Sequence, residues 1–83
     1  MGRPFRKLTP EEIRSVQLNP PKVMNTAQVG AYIGLSTTAV RYIISIDETF
    51  PAFKLSVGGE WKFLLVKVDA WLLKKDRVEH EEE

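Results

Sequence analysis

On either side of Ile33-Gly34-Leu35-Ser36 the apolar residues keep helical spacing, and the helix stops and restarts within those four positions. Upstream, Val29, Tyr32 and Ile33 stand at i, i+3 and i+4. They follow Asn25-Thr26-Ala27-Gln28, an N-cap residue with Gln three positions later. Gly34 supplies the permissive backbone of a left-handed C-terminal cap, and Ser36, one residue beyond Leu35, opens a second helix. Two helices joined by so short a corner cannot lie antiparallel and must cross steeply, in helix-turn-helix geometry. At about 100° per residue, Ala39, Val40, Ile43 and Ile44 share the inner arc of the second helix. Thr37, Thr38, Arg41, Tyr42 and Ser45 share the outer arc, and no acidic residue occurs before Asp47.

The flanking patterns complete the element list. Thr9-Pro10-Glu11-Glu12 carries an N-cap, a proline at the first helical position and a capping-box glutamate, which predicts a short helix over about 10–17. Its apolar stripe is thin, and Asn19-Pro20-Pro21 ends it. After a break at residues 47–51 the period becomes two. Phe53, Leu55 and Val57 alternate with Lys54 and Ser56, and Trp61 and Phe63 flank Lys62. Gly58-Gly59 between these runs predicts a type I′ hairpin. A last helix, roughly Leu65 to Lys75, turns Val68, Trp71 and Leu72 inward. The expected fold is α+β: three to four short helices with a two-stranded β-hairpin wing, a small winged helix-turn-helix. Residues 1–21 form a basic arm and a short helix, 22–75 the winged domain, and 76–83 an acidic tail without ordered structure.

Composition narrows the function classes. Eighty-three residues with 43% apolar and 28% charged content fit one small globular domain. No apolar run approaches a membrane span and no signal-peptide pattern is present, so the expected address is cytoplasmic, with no membrane partner. The net charge of +1 hides an asymmetry: residues 1–75 hold 11 Lys and Arg against 6 Asp and Glu, and residues 76–83 hold 1 against 5. A basic body with an acidic end points to a polyanionic partner for the body.

Catalytic chemistry finds no constellation. Cysteine is absent, and the single histidine, His80, sits among Glu79, Glu81, Glu82 and Glu83 as a solvated residue rather than a metal ligand. The carboxylates Glu11, Glu12, Asp47, Glu48, Glu60 and Asp69 are scattered over caps, loops and helices. No enzyme, cofactor, metal or small-molecule substrate is therefore expected. Double-stranded DNA is the expected ligand, because a helix entering the major groove needs small polar residues for close approach and a few longer side chains to reach bases or phosphates. Thr37, Thr38, Arg41, Tyr42 and Ser45 supply that mixture. Lys54 and Lys62 on the wing strands, and Arg3, Arg6 and Lys7 on the N-terminal arm, are candidates for backbone and minor-groove contacts.

The stretch Asn25 to Leu72 resembles the MerR-like winged helix-turn-helix of phage and mobile-element excisionases and AlpA-type prophage regulators. NTAQV, Gly30, Gly34, the Ser36 cap, Val40 and Ile43, FPAFKLSVGGEWKF at 50–63 and VDAWL at 68–72 carry the likeness. GRPFRKLTPEE at residues 2–12 is similar to basic arms that precede such domains in recombinases and small phage packaging proteins. The resemblance implies sequence-specific DNA binding by the second helix and the wing, with a recombinase (integrase) or further copies of the chain as partners. Thr37, Thr38, Arg41 and Tyr42 fall at the family's groove-facing positions. Thr37 stands where many members carry a basic residue, and Glu60 where they carry a wing-tip arginine. An alternative from another class is a protein-interaction adaptor that keeps the winged fold and uses the Tyr42 face, or Leu64 and Leu65, against another protein.

Overall fold

The computed structural model describes residues 8–81. Four helices and three strands follow in the order α1 Pro10–Leu18, β1 Val23–Met24, α2 Thr26–Ile33, α3 Thr37–Ile46, β2 Ala52–Lys54, β3 Trp61–Leu64 and α4 Leu65–Glu81. The strands form one antiparallel sheet in the order β1-β3-β2.

The starts of α1, α2 and α3 are built as their sequences dictate. Thr9 and Glu12 exchange side-chain and backbone hydrogen bonds at 3.1 and 2.9 Å, as do Asn25 and Gln28 at 2.8 and 3.0 Å. Ser36 Oγ accepts from the Ala39 amide at 3.1 Å. Each cap satisfies an amide that lacks an intrahelical partner. α1 lies on α2 through buried Val16 and a Gln17 Nε2 donation to the Ala31 carbonyl at 3.2 Å.

The core gathers Met24, Val29, Val40, Phe63 and Val68, one side chain each from β1, α2, α3, β3 and α4, together with Phe50 from the segment between α3 and β2. Phe63 is central: it is fully buried, lies opposite Ala52 and Met24 in the ladder, and meets Phe50 at a ring distance of 5.6 Å. Phe50 in turn meets Trp71 edge-on at 4.7 Å, which ties the segment after α3 to α4. Truncating such an aromatic costs about 3–5 kcal/mol, a large share of the total stability of a domain this size.

Three expectations are corrected. The wing is not a two-stranded hairpin: Val23 and Met24 add a third strand against Leu64 and Phe63, and the Leu65 amide donates to the Lys22 carbonyl at 2.8 Å. Nor does the β2–β3 connection have a type I′ turn, because the alternation stops at Lys54. A six-residue loop follows, with positive φ at Gly58 alone and Gly59 N–H donating to the Ser56 carbonyl at 3.0 Å. Those features fit a type II turn over 56–59, which needs one positive φ, at its third residue. Leu55 and Val57 therefore stand exposed. Finally, α4 runs on to Glu81, so the described part of the acidic end is helical. No glycine or proline interrupts residues 65–81, and Lys, Arg and Glu favour helix.

The α2–α3 corner is the tightest joint. The helices meet at 96°. The Gly30 carbonyl accepts from the amides of both Gly34 and Leu35 at 2.8 Å, and Gly34 takes φ +84°. A Cβ on Gly30 would stand 2.6 Å from the Leu35 carbonyl oxygen. Gly30→Ala must push the corner apart, so we expect a loss of about 1–3 kcal/mol in denaturant unfolding. An unchanged midpoint and slope would show that the corner has slack.

Candidate nucleic-acid interface

α3 divides its side chains between core and solvent. Val40 is fully buried, and Ala39, Ile43 and Ile44 are partly covered. Thr38, Arg41, Tyr42 and Ser45 are exposed, with Tyr42 at 63%, and Thr37 is half-covered at the first turn. The structure thus brings the five helix candidates onto one face. Ser45 is already engaged: its hydroxyl donates to the Tyr42 carbonyl at 2.7 Å, so toward a ligand it offers an acceptor. Ile46, 61% exposed and one turn beyond Tyr42, gives this face an apolar edge that the arc of polar residues did not predict.

The far end of α3 is clasped. Asp47 caps the helix, accepts from the Thr49 amide and hydroxyl at 2.9 and 2.6 Å, receives Trp71 Nε1 at 3.4 Å and pairs with Lys75 at 3.1 Å. Lys75 Nζ also sits 5.5 Å from the Trp71 ring centre. The Thr49 hydroxyl, the Lys75 ammonium and the Thr49 amide together hold the Asp47 carboxyl well below its ordinary value. Two consequences follow: α3 is fastened to α4, and the acid nearest its exposed face is matched by a cation. At the other end of α4, the Tyr32 hydroxyl donates to Asp69 at 2.5 Å, joining α2 to α4 and raising the Tyr32 pKa.

The two wing lysines part company. In the β2–β3 register Lys54 faces Trp61 and Phe53 faces Lys62. Directly opposed residues share a face and successive residues alternate. Lys54 is therefore on the Trp61 and Phe63 side, with Nζ 4.7 Å from the Trp61 ring centre. Lys62 is on the other side, 3.9 Å from Glu60. One phosphate strand cannot meet both lysines from the same side. The Glu60–Lys62 pair is half-exposed and worth at most about 1 kcal/mol, too little to lock the loop.

Comparison of the chain with protein-family models, with curated proteins and with solved structures found no match. Arg3, Arg6 and Lys7 lie outside the described residues. Among the described residues no three His, Asp or Glu side chains gather where a metal ion could sit, and no single helix is long and apolar enough to cross a membrane. Of the leucines suggested for an adaptor role, Leu65 packs against the core and Leu64 is partly covered; among the described side chains of α4 the large exposed apolar ones are Val66 and Leu73.

The Asp47 clasp has a pH signature. Its folded pKa is lower than the ordinary 3.8, so its contribution to stability is complete above about pH 5 and fades as pH falls below 3.8. Asp47→Asn should lower stability at neutral pH and flatten the acid side of the stability profile relative to the parent chain. Parallel profiles for the two proteins between neutrality and pH 2–3 would contradict the clasp.

Proposed function

We propose that this chain is a double-stranded DNA-binding regulator of a phage or mobile element, a winged helix-turn-helix protein of excisionase-like or AlpA-like type. α3 enters the major groove, and the loop at residues 55–60 runs along the backbone as the wing. The observation that carries the reading is the 96° corner, which stands the Thr38, Arg41 and Tyr42 face of α3 out from the core. The first turn of α3, with Thr37 and Thr38, suits a phosphate because helix N-termini favour anions. Arg41, one turn further on, reaches a guanine edge or a second phosphate.

A single unit makes few contacts, and both affinity and discrimination grow with their number. Neighbouring copies on repeated sites, or a recombinase partner, therefore belong to the same proposal, as does action inside the bacterial cell. The adaptor reading keeps one observation in its favour, the exposed Tyr42–Ile46 edge, which also fits a protein partner.

Salt dependence separates the two. Duplex affinity measured by fluorescence anisotropy should fall on log–log axes with a slope of about −0.9 per phosphate contacted. Absence of duplex binding at about 50 mM salt favours the adaptor. Arg41→Ala should cost about 1–3 kcal/mol of DNA affinity while the variant stays folded. Of Lys54→Ala and Lys62→Ala, only one should reduce the salt slope, by about one unit. Equal reductions from both would contradict the opposite-face placement of the two lysines.

A further inference from the structure

The chain segment that follows α3 and one face of α4 enclose a furrow. Thr49, Pro51 and Phe53 stand on one side of it, and Lys67, Ala70, Trp71 and Lys74 on the other. Those four α4 positions follow helical spacing and so form one continuous face. Two open hollows, of about 310 and 240 Å³, share Pro51 and Lys67 and make a single trough. Each is at or below the low end of small-molecule pocket sizes. Successive side chains of one peptide segment fit such a pair better than one compact ligand does.

The chemistry of the trough is one-sided. Phe53 and Leu64 give it an apolar floor at one end and Trp71 at the other. Lys67 and Lys74 are both exposed, about 10 Å apart along α4, and among the described residues lining the trough there is no acid. Charge pairing sets these two lysines apart from the others on the sheet and α4. Lys54 lies over the Trp61 ring, Lys62 pairs with Glu60, and Lys75 pairs with Asp47. Lys67 and Lys74 meet no acid among the described residues. The Asp47 carboxylate beside Trp71 cannot serve them, because Lys75 already matches it.

We propose that the furrow binds an extended segment of another protein in which acidic and apolar residues alternate. Side chains on one side of an extended chain are about 7 Å apart, or about 13 Å at the next repeat, and these spacings bracket the separation of the two lysines. Two acids, two or four positions apart, meet Lys67 and Lys74. The apolar residues on the opposite side of the segment cover Phe53, Leu64 and Trp71, and a half-exposed tryptophan is the kind of anchor on which such contacts concentrate. No extended segment among the described residues of this chain carries two acids at that spacing, which points to a different protein as the donor. A phosphate backbone would meet the lysines and leave the apolar floor without an apolar partner. The proposal does not rest on DNA binding, since the furrow lies outside residues 36–45 and 55–60.

Selection from a random heptapeptide library displayed against the full chain tests it. The expected peptides carry two acids two or four positions apart with apolar residues between them. A selected peptide, made synthetically and followed by fluorescence anisotropy, should bind less tightly as salt rises. Lys67→Glu with Lys74→Glu should weaken it by about tenfold or more, and Lys67→Gln with Lys74→Gln by less. Ala70→Arg separates a furrow from general charge attraction. Arginine suits an exposed helical position and adds positive charge, yet it fills the trough, so binding should fall. Circular dichroism checks that each variant is folded. A library that yields no such pattern overturns the proposal, as does a peptide indifferent to the lysine substitutions or bound more tightly by Ala70→Arg. Duplex DNA or phosphatidylserine vesicles bound with the same dependence on positions 67, 70 and 74 would assign the furrow to a polyanionic surface. Self-association with that dependence would assign it to a second copy, and either result overturns the proposal.

Discussion

The molecule turns on the contact between the Gly30 backbone and the Leu35 carbonyl, where no side chain can be interposed. Because α2 and the backbone of the corner come together there, the corner has little freedom and the two helices are held at 96°. Val40 Cγ2 would be 3.5 Å from a Cβ at the same position, so the corner and the core are one packing problem. Burial of Val40 settles the rotation of α3 about its axis, and that rotation selects which residues face outward. Thr38, Arg41 and Tyr42 are exposed as a consequence of what is buried beneath them.

A helix held only at its start would swing. The structure holds α3 at its end as well, through Asp47, Thr49, Trp71 and Lys75, and Phe50 immediately beyond inserts between Phe63 and Trp71. The apolar part of this fastening outweighs the polar part: a buried aromatic contributes several kcal/mol, whereas exposed or half-exposed ion pairs contribute about one or less. The Asp47 cluster is better understood as fixing direction and balancing charge. An interface proposed to meet a polyanion gains from having its nearest carboxylate matched by Lys75.

Local signals were legible in the sequence wherever one residue type has one physical job. The caps at Thr9, Asn25 and Ser36, the left-handed Gly34 and the two faces of α3 followed directly from hydrogen-bonding capacity, backbone freedom and helical period. Long-range pairing was not legible. β1 is two residues long, too short for any period, and exists because β3 offers it an edge. Phe50 read as part of a helix break, and only the meeting of Phe63 and Trp71 across the chain makes it core. The lysines at 54 and 62 looked equivalent by spacing, yet strand register sends them to opposite faces. Ile46 does not follow from the two-faced pattern of α3, because it is an apolar residue left exposed at the very end of the helix.

The exposed face of α3 is the surface proposed to meet DNA. An amide-resolved NMR titration of the labelled chain with duplex DNA maps that surface directly. The account predicts shift changes concentrated in 36–45 and in the loop at 55–60, with Gln17, Phe53 and Lys74 little affected. Changes concentrated on α4 and the sheet, with 36–45 silent, would contradict it.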